Sequence, residues 1–92
     1  MRLDFDPAKN ARNISERGLS FELVSGLVWE TALVVEDTRQ DYGERRFRVI
    51  GTIGDRIYAV VVTPRPGGLR VISLRRANPR EEKRYVQATN QS

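Results

Sequence analysis

Residues 46–77 read RFRVIGTIGDRIYAVVVTPRPGGLRVISLRRA, and the pattern of this segment specifies the centre of the fold. Its first run, 46–50, alternates polar and apolar side chains, its middle run, 57–62, is apolar throughout, and its last run, 69–77, alternates again. Alternation is typical of a strand with one face in solvent, and a short apolar run is typical of a strand buried on both faces. A Gly-Asp turn and a loop rich in Pro and Gly separate the runs. The stretch therefore predicts an antiparallel meander whose central strand is 57–62.

The last run of the meander is predicted to present arginine on both of its faces. Strict alternation places Val71, Ser73 and Arg75 on one face, and it places Leu74 and Arg76 on the other. The meander is thus expected to offer basic side chains to either side of the sheet, and a groove formed there would hold several of them.

A helix is predicted to precede the meander. Asp6 followed by Pro7 gives an N-cap and a first helical position, because the carboxylate accepts from free backbone amides and proline lacks an amide hydrogen. Gly18 supplies the left-handed residue that ends this helix. Ala11 and Ile14 are expected to form its buried stripe.

Three further elements complete the prediction. A second short helix over 20–27 forms a hairpin with the first, and the β-branched run 33–36 predicts a strand. After the meander, Asn78 before a proline and Glu81 at the third helical position form a capping box, which predicts a last helix over 79–88.

The predicted fold class is α+β, with an N-terminal helix hairpin, an antiparallel β-sheet meander and a C-terminal helix in a single domain over residues 1–92. The sequence has no Cys and no His, which excludes disulfides, imidazole catalysis and nearly every transition-metal site. It also has no signal-peptide pattern and no apolar run long enough to span a bilayer, so a cytoplasmic protein without a membrane partner is expected.

Charge is distributed unevenly along the chain. Residues 1–44 carry five basic and nine acidic side chains, whereas residues 45–92 carry eleven basic and three acidic ones. Fourteen of the sixteen basic residues are Arg, whose planar fork of donors suits bidentate contact with phosphate or carboxylate. A solvated surface rich in Arg is the simpler interpretation of the count. The clustering instead favours a basic face for nucleic acid or for an acidic protein partner.

Known catalytic templates are absent from the sequence, which contains no Ser/His/Asp set, phosphate loop, dinucleotide fingerprint or metal-ligand spacing. No metal and no cofactor are therefore expected. What remains is a set of arginines that can converge on one phosphodiester-sized groove. They are Arg46 and Arg48 of one strand, Arg80 and Arg84 of the last helix, and, from the last strand, either Arg70 with Arg76 on one face or Arg75 alone on the other. For each of them alone, a surface ion pair of about 0 to 1 kcal/mol is the alternative interpretation.

Cleavage of RNA is a reaction that such a groove can support, because the 2′-hydroxyl of the substrate attacks the adjacent phosphate. The protein must align the bond, stabilise the phosphorane with positive charge and assist proton transfer. Without His, proton transfer falls to Tyr, Lys, Glu or water. Tyr85 on the last helix is one candidate, with a core aromatic as the alternative interpretation.

The chain resembles the BrnT family, the toxin component of BrnT/BrnA type II toxin–antitoxin systems. Three segments in the right order and spacing carry the resemblance. They are Phe5-Asp6 with Lys9, Asn13 and Gly18-Leu19-Ser20-Phe21; Asp41-Tyr42-Gly43-Glu44 with Arg46-Phe47 and Gly51; and Arg70-Val71-Ile72-Ser73 with Arg75-Arg76-Ala77, Glu81 and Tyr85. One departure is Arg17, where family members usually have a His before the glycine that ends the first helix.

The resemblance implies a RelE-like fold and a ribonuclease that stops translation. It also implies neutralisation by a BrnA-like antitoxin in a hetero-oligomer, with 2:2 as the expected stoichiometry and DNA contacted only through the antitoxin. The implied catalytic residues are Arg46 and Arg75 for phosphate and Lys9 and Tyr85 for proton transfer or orientation. The resemblance places Arg70, Ser73 and Arg76 around them. The clustering of arginines adds Arg48, Arg80 and Arg84 to the residues that are expected to bind RNA.

Two hypotheses from different classes remain open. The first is a metal-independent endoribonuclease toxin. The second is a non-catalytic basic module that binds RNA or an antitoxin, which predicts RNA retention that weakens with salt and no cleavage products.

Overall fold

The structure is a computed structural model, and it describes residues 2–90. Within this range the chain forms a five-stranded sheet, two α-helices and two short 3₁₀ helices. In chain order the elements are β1 (Arg2–Phe5), α1 (Pro7–Arg17), the 3₁₀ helices Phe21–Gly26 and Trp29–Thr31, β2 (Leu33–Glu36), β3 (Phe47–Ile53), β4 (Arg56–Arg65), β5 (Gly68–Arg76) and α2 (Pro79–Thr89).

The predicted meander is confirmed as the centre of the molecule. The strand order is β1-β5-β4-β3-β2, in which β2, β3, β4 and β5 pair antiparallel and β1 pairs in parallel with β5. β4 is the middle strand and the longest of the described ones at ten residues. Its apolar side chains are covered on both faces, which explains the uninterrupted apolar run that the sequence shows there.

The predicted N-terminal helix hairpin is wrong, and with it the RelE-like arrangement of the N-terminus. The described chain begins with a strand, β1, and the second predicted helix is a 3₁₀ helix of six residues. β1 is held by β5, with Leu3 opposite Leu69 and Phe5 opposite Val71. A strand of four residues that is stabilised by pairing with residues more than sixty positions away leaves no local pattern in the sequence.

The predicted buried stripe of α1 is also wrong. Ile14 is 46% exposed and Ala11 is exposed, whereas Asn13 is buried. The Asn13 side-chain amide donates to the carbonyl oxygens of Leu19 at 2.9 Å and Leu74 at 3.0 Å. Hydrogen bonds therefore orient α1 on the sheet, in place of the apolar contacts that its sequence suggests.

The hydrophobic core lies on one face of the sheet, beneath the first 3₁₀ helix. Phe21 and Val24 from that helix pack against strand residues of the same face, Val49, Tyr58, Val60, Val62, Val71 and Leu74. In β5, Val71 and Leu74 are both in the core although they are three positions apart. Strict alternation cannot place these two side chains on one face.

A β-bulge in β5 explains this departure from alternation. Val61 pairs with Ser73 and Val62 pairs with Val71, so Ile72 is an extra residue without a partner on β4. One extra residue reverses the facing of every later side chain in the strand. The predicted grouping of Val71 with Ser73 and Arg75 is therefore wrong. Ser73 and Arg75 lie on the face opposite the core.

That opposite face is covered in part by α2, which is the predicted last helix. Its N-terminus has the predicted capping box, in which the Asn78 side chain accepts from the Glu81 amide and the Glu81 side chain accepts from the Asn78 amide. Tyr85 is buried under the helix, and its hydroxyl is 2.8 Å from that of Thr31. Within residues 2–90, neither α-helix combines the length and the apolar character that a membrane span requires.

Candidate functional site

A groove of about 690 Å³ lies between α2 and the face of the sheet opposite the core. We call it the α2 groove. Its charged and hydroxyl-bearing lining residues come from four parts of the chain, the loop after β2, β3, β5 and α2. They are Arg39, Arg48, Ser73, Arg75, Glu81 and Arg84. The rest of the lining is mainly apolar and includes Leu33, Val35, Ile50, Ala59, Val61 and Ala88.

The strand register explains why these side chains meet. Arg48 of β3 is opposite Val61 of β4, and Val61 is opposite Ser73 of β5. These three residues form one row across the sheet. Arg75 stands in the next row on the same face, about 7 Å further along the strands. Without the bulge at Ile72, neither Ser73 nor Arg75 would point into the groove.

Arg75 and Glu81 form a bidentate ion pair inside the groove. Arg75 Nη1 is 2.8 Å from Glu81 Oε1, and Arg75 Nη2 is 2.9 Å from Glu81 Oε2. The hydrogen bonds from the Arg75 guanidinium lower the pKa of Glu81 from its usual value of 4.5. The pair joins β5 to the first turn of α2, and it leaves the Glu81 side chain only 18% exposed.

The other groove arginines differ in how their charge is used. Arg48 and Arg84 are exposed, and among the described residues neither has a carboxylate oxygen within 4 Å. Arg39 is paired with the buried carboxylate of Asp37 at 2.8 Å. Arg48 and Arg84 are therefore the groove cations that are most available to an anionic ligand.

Arg46 and Arg70 lie outside the α2 groove. The Arg46 guanidinium stacks on the ring of Tyr42 at 4.4 Å and contacts Glu44 at 3.1 Å. Arg70 is paired with Asp4 of β1 at 2.8 Å. Both arginines are thus held by partners within the chain, and the structure does not bring Arg46 into one site with Arg75.

The remaining predicted site residues occupy other positions. Lys9 is on α1, where it lines a separate cavity of about 230 Å³ on the core side of the sheet. Arg76 lines a third cavity beside the β3–β4 turn. Arg80 is exposed on α2 outside the groove lining, and the Tyr85 hydroxyl is engaged with Thr31.

The structure therefore brings together four of the predicted residues, Arg48, Ser73, Arg75 and Arg84. Sequence reasoning missed Arg39, which sits in a polar loop with no pattern to distinguish it. It assigned Glu81 only a capping role. Glu81 follows Arg75 by six positions, across the turn from β5 to α2, and this short separation was the available signal for an ion pair.

Arg17 has a structural role at the position where a His is usual in the family that the sequence resembles. Its Nη1 donates to Asn13 Oδ1 at 3.2 Å and to the carbonyl oxygen of Leu74 at 3.3 Å. The guanidinium therefore completes the hydrogen bonding of the buried Asn13 amide. It lies on the core side of the sheet, away from the α2 groove.

Comparison with known proteins gives one family match. A family model described as the ribonuclease toxin, BrnT, of type II toxin-antitoxin systems matches residues 5–81. No curated protein matches the chain. The matched segment runs from the end of β1 into the first turn of α2, so it includes Arg48, Ser73, Arg75 and Glu81.

Proposed function

The chain belongs to the BrnT family of ribonuclease toxins from type II toxin–antitoxin systems, and we propose that its α2 groove binds and cleaves RNA. The family implies an RNA target and a protein antitoxin. What the family match leaves open is the place on the molecule, the residues and the need for a metal ion.

The observation that supports this site most directly is the presence of Arg48, Arg75 and Arg84 in one groove with an apolar floor. Guanidinium groups bind phosphate through two parallel hydrogen bonds. Apolar surface beside them accommodates a nucleobase that has left its stack, as sequence-specific recognition of single-stranded RNA requires. The groove thus matches both parts of a nucleotide.

The proposed chemistry uses the 2′-hydroxyl of the substrate as the nucleophile. Arg48 and Arg84 hold the phosphates on either side of the scissile bond, and Ser73 donates to a phosphate oxygen. Arg75 stabilises the negative charge that develops on the phosphorane, and fixed donors that act in this way usually contribute more to the rate than any other effect. Because positive charge comes from guanidinium groups, the reaction needs no divalent cation.

We also propose that a BrnA-type antitoxin covers this groove in a 2:2 complex. An acidic segment of the antitoxin would neutralise Arg48 and Arg84, which lack carboxylate partners among residues 2–90. Val34 and Val35 border the groove on the edge strand β2, and each is 51% exposed. They would give the antitoxin apolar contacts beside the arginines. Inhibition then follows from simple occlusion.

The first prediction concerns Arg48→Ala. RNA cleavage in EDTA should fall by about 10-fold or more, because a charge-assisted hydrogen bond of about 1.5 to 3 kcal/mol to phosphate is lost. Cleavage of a randomised single-stranded RNA pool is measured on gels, with free RNA and in a translating extract. Arg56→Ala is the matched control, since Arg56 is also an exposed strand arginine but lines another cavity.

Three results would contradict this proposal. Intact RNA in both settings would contradict the ribonuclease activity itself. Cleavage that requires added Mg²⁺ would contradict the metal-independent mechanism. Equal loss of activity in Arg48→Ala and Arg56→Ala would contradict the location of the site.

The binding-only alternative has one observation in its favour. Arg75 is already neutralised by Glu81, as Arg46 is by Glu44, so these arginines have structural partners. A protein that retains the RNA pool at low salt and leaves it intact in the same assay would support this alternative.

A further inference from the structure

Glu81 is the one carboxylate among the described residues that lines the α2 groove. The other charged groups that face the groove are all basic, namely Arg39 of the loop after β2, Arg48 of β3, Arg75 of β5 and Arg84 of α2. A carboxylate among four cations weakens the attraction of the groove for RNA. In addition to its capping box and its pair with Arg75, Glu81 therefore presents to the groove a group that accepts protons and does not bind phosphate.

The hydrogen bonds of Glu81 leave room for one more donor. Oε1 accepts from the Asn78 amide at 2.9 Å and from Arg75 Nη1 at 2.8 Å, which uses both of its lone pairs. Oε2 accepts from Arg75 Nη2 at 2.9 Å, and no second donor to it lies within residues 2–90. One lone pair of Oε2 is thus open to a ligand in the groove.

Arg75 also retains N–H donors that its pair with Glu81 does not use. Its Nη1 serves Glu81 Oε1 and, at 3.3 Å, the carbonyl oxygen of Arg76. Its Nη2 donates one hydrogen to Glu81 Oε2, whereas the Nε hydrogen has no acceptor among the described residues. A phosphate oxygen can therefore bind Arg75 without breaking the pair with Glu81.

Other groups suited to accepting a proton are remote from the groove or engaged. The sequence contains no His, and Lys9 lies on the core side of the sheet. The Tyr85 hydroxyl is hydrogen-bonded to Thr31 under α2. Each carboxylate oxygen of Asp37 already accepts two hydrogen bonds, from Arg39 and Tyr42, and Glu44 is held by Arg46 and Arg65 outside the groove lining.

We propose that Glu81 is the general base of the ribonuclease, accepting the proton of the substrate 2′-hydroxyl at Oε2 while Arg75 binds the adjacent phosphate. This inference rests on the proposed function of the α2 groove. It names the group that accepts the proton, and it gives a catalytic role to the carboxylate that lies among the arginines of the groove.

Protons and bonds balance in this reaction. The 2′-hydroxyl proton passes to Glu81, O2′ forms a bond to phosphorus, and the bond from phosphorus to O5′ breaks. The leaving O5′ takes a proton from water, and the resulting hydroxide is neutralised by the proton on Glu81. The products are a 2′,3′-cyclic phosphate and a 5′-hydroxyl, with Glu81 restored to its carboxylate form.

The environment of Glu81 keeps it in the form that the reaction needs. Hydrogen bonds from Arg75 lower the pKa of Glu81 below 4.5, so the carboxylate is ionised at neutral pH and is able to accept a proton. A base of such low pKa is weak, so we expect a slow reaction. The rate is expected to be level at neutral pH and to fall only in acid, as the pH drops through the lowered pKa of Glu81.

The test compares Glu81→Gln, Glu81→Asp and the matched control Glu82→Gln in the full chain. Glu82 is the neighbouring residue in the same first turn of α2, so its substitution changes net charge and helix charge equally without entering the groove. Cleavage of the randomised RNA pool is measured in single turnover. Binding is measured with the same pool in 2′-O-methyl form, which has no 2′-hydroxyl proton to remove.

Glu81→Gln is expected to lower the cleavage rate by about 100-fold or more and to bind the 2′-O-methyl pool as tightly as the wild type or more tightly. Its residual rate should rise steadily with pH, because water and hydroxide then take the proton. Glu81→Asp should recover part of the rate, and Glu82→Gln should match the wild type. Gel analysis should show cyclic phosphate ends.

The outcomes separate the inference from the function on which it rests. A wild-type protein that leaves RNA intact overturns both. An active wild type with an equally active Glu81→Gln overturns the role of Glu81 alone. Parallel losses of rate, RNA affinity and melting temperature in Glu81→Gln, with an unchanged pH profile, would show a purely structural role and overturn the inference too.

Discussion

The burial and the role of individual side chains in this protein depend more on their hydrogen-bond and ion-pair partners than on their residue type. Asn13 is buried because two carbonyl oxygens accept from its amide, while Ile14 beside it remains 46% exposed. Arg75 and Arg70 belong to the same strand, yet one pairs inside the α2 groove and the other pairs with Asp4 at the sheet edge. Residue type alone therefore assigns neither burial nor function here.

Asn13→Ala should destabilise the protein far more than Ile14→Ala, contrary to what hydrophobicity suggests. Removing the Asn13 amide takes a donor from the carbonyl oxygens of Leu19 and Leu74 and an acceptor from Arg17, at a cost of about 1 to 3 kcal/mol. Ile14→Ala should change the free energy of unfolding by no more than about 0.5 kcal/mol, because this side chain is largely in solvent. Urea unfolding of both variants measures the difference, and the reverse order would contradict the predicted role of Asn13.

Two small elements have large consequences for the sheet. The extra residue Ile72 in β5 turns Ser73 and Arg75 to the groove side. The short strand β1 closes the other edge of the sheet beside β5, with Gly68 opposite Arg2. A Cβ placed on Gly68 would overlap the backbone carbonyl of Arg2, so only glycine permits this close approach.

Gly68→Ala should release β1 from the sheet. Hydrogen exchange at the backbone amides of β1 is expected to quicken markedly, while β3 and β4 remain protected, because the clash is confined to the β1–β5 edge. Gly26→Ala is the matched control, since a Cβ there meets only the Ile53 side chain at 3.6 Å. Unchanged exchange in β1 would contradict this account of the edge.

The two faces of the sheet differ in chemical character across the whole molecule. The core and α1 occupy one side of the sheet, and the basic α2 groove occupies the other. The groove lining, with four arginines and Glu81, holds most of the +4 net charge of the chain, because several arginines elsewhere are neutralised by carboxylates. Those carboxylates also link the stability of the fold to pH.

The protein should lose stability below about pH 4.5. Hydrogen bonds from arginine lower the pKa of Glu81 and Glu36 from 4.5 and the pKa of Asp4 and Asp37 from 3.8. Since these groups bind protons more readily in the unfolded chain, their contribution is complete above pH 4.5 and is lost as pH falls through the lower folded values. Urea unfolding at several pH values measures this, with a smaller acid loss expected for Asp37→Asn. An acid loss unchanged in that variant would contradict the assignment to Asp37.

Local elements were predictable and long-range ones were not. The caps of α1 and α2 follow from short-range hydrogen bonds, and the meander follows from alternation within single strands. β1 and the burial of Asn13 depend on β5, far away in the sequence. Of the candidate site, the arginine-rich composition was visible, whereas the separation of Arg46 and Lys9 from Arg75 was not.

The central strand, the helix ends, the basic second half and the absence of histidine from any mechanism follow from the sequence alone. Which arginines share a groove, and that Glu81 lies among them, depends on tertiary structure. The physical reason is that strand register, and the bulge that interrupts it, minimise the free energy of pairing between distant segments. No single segment contains that information.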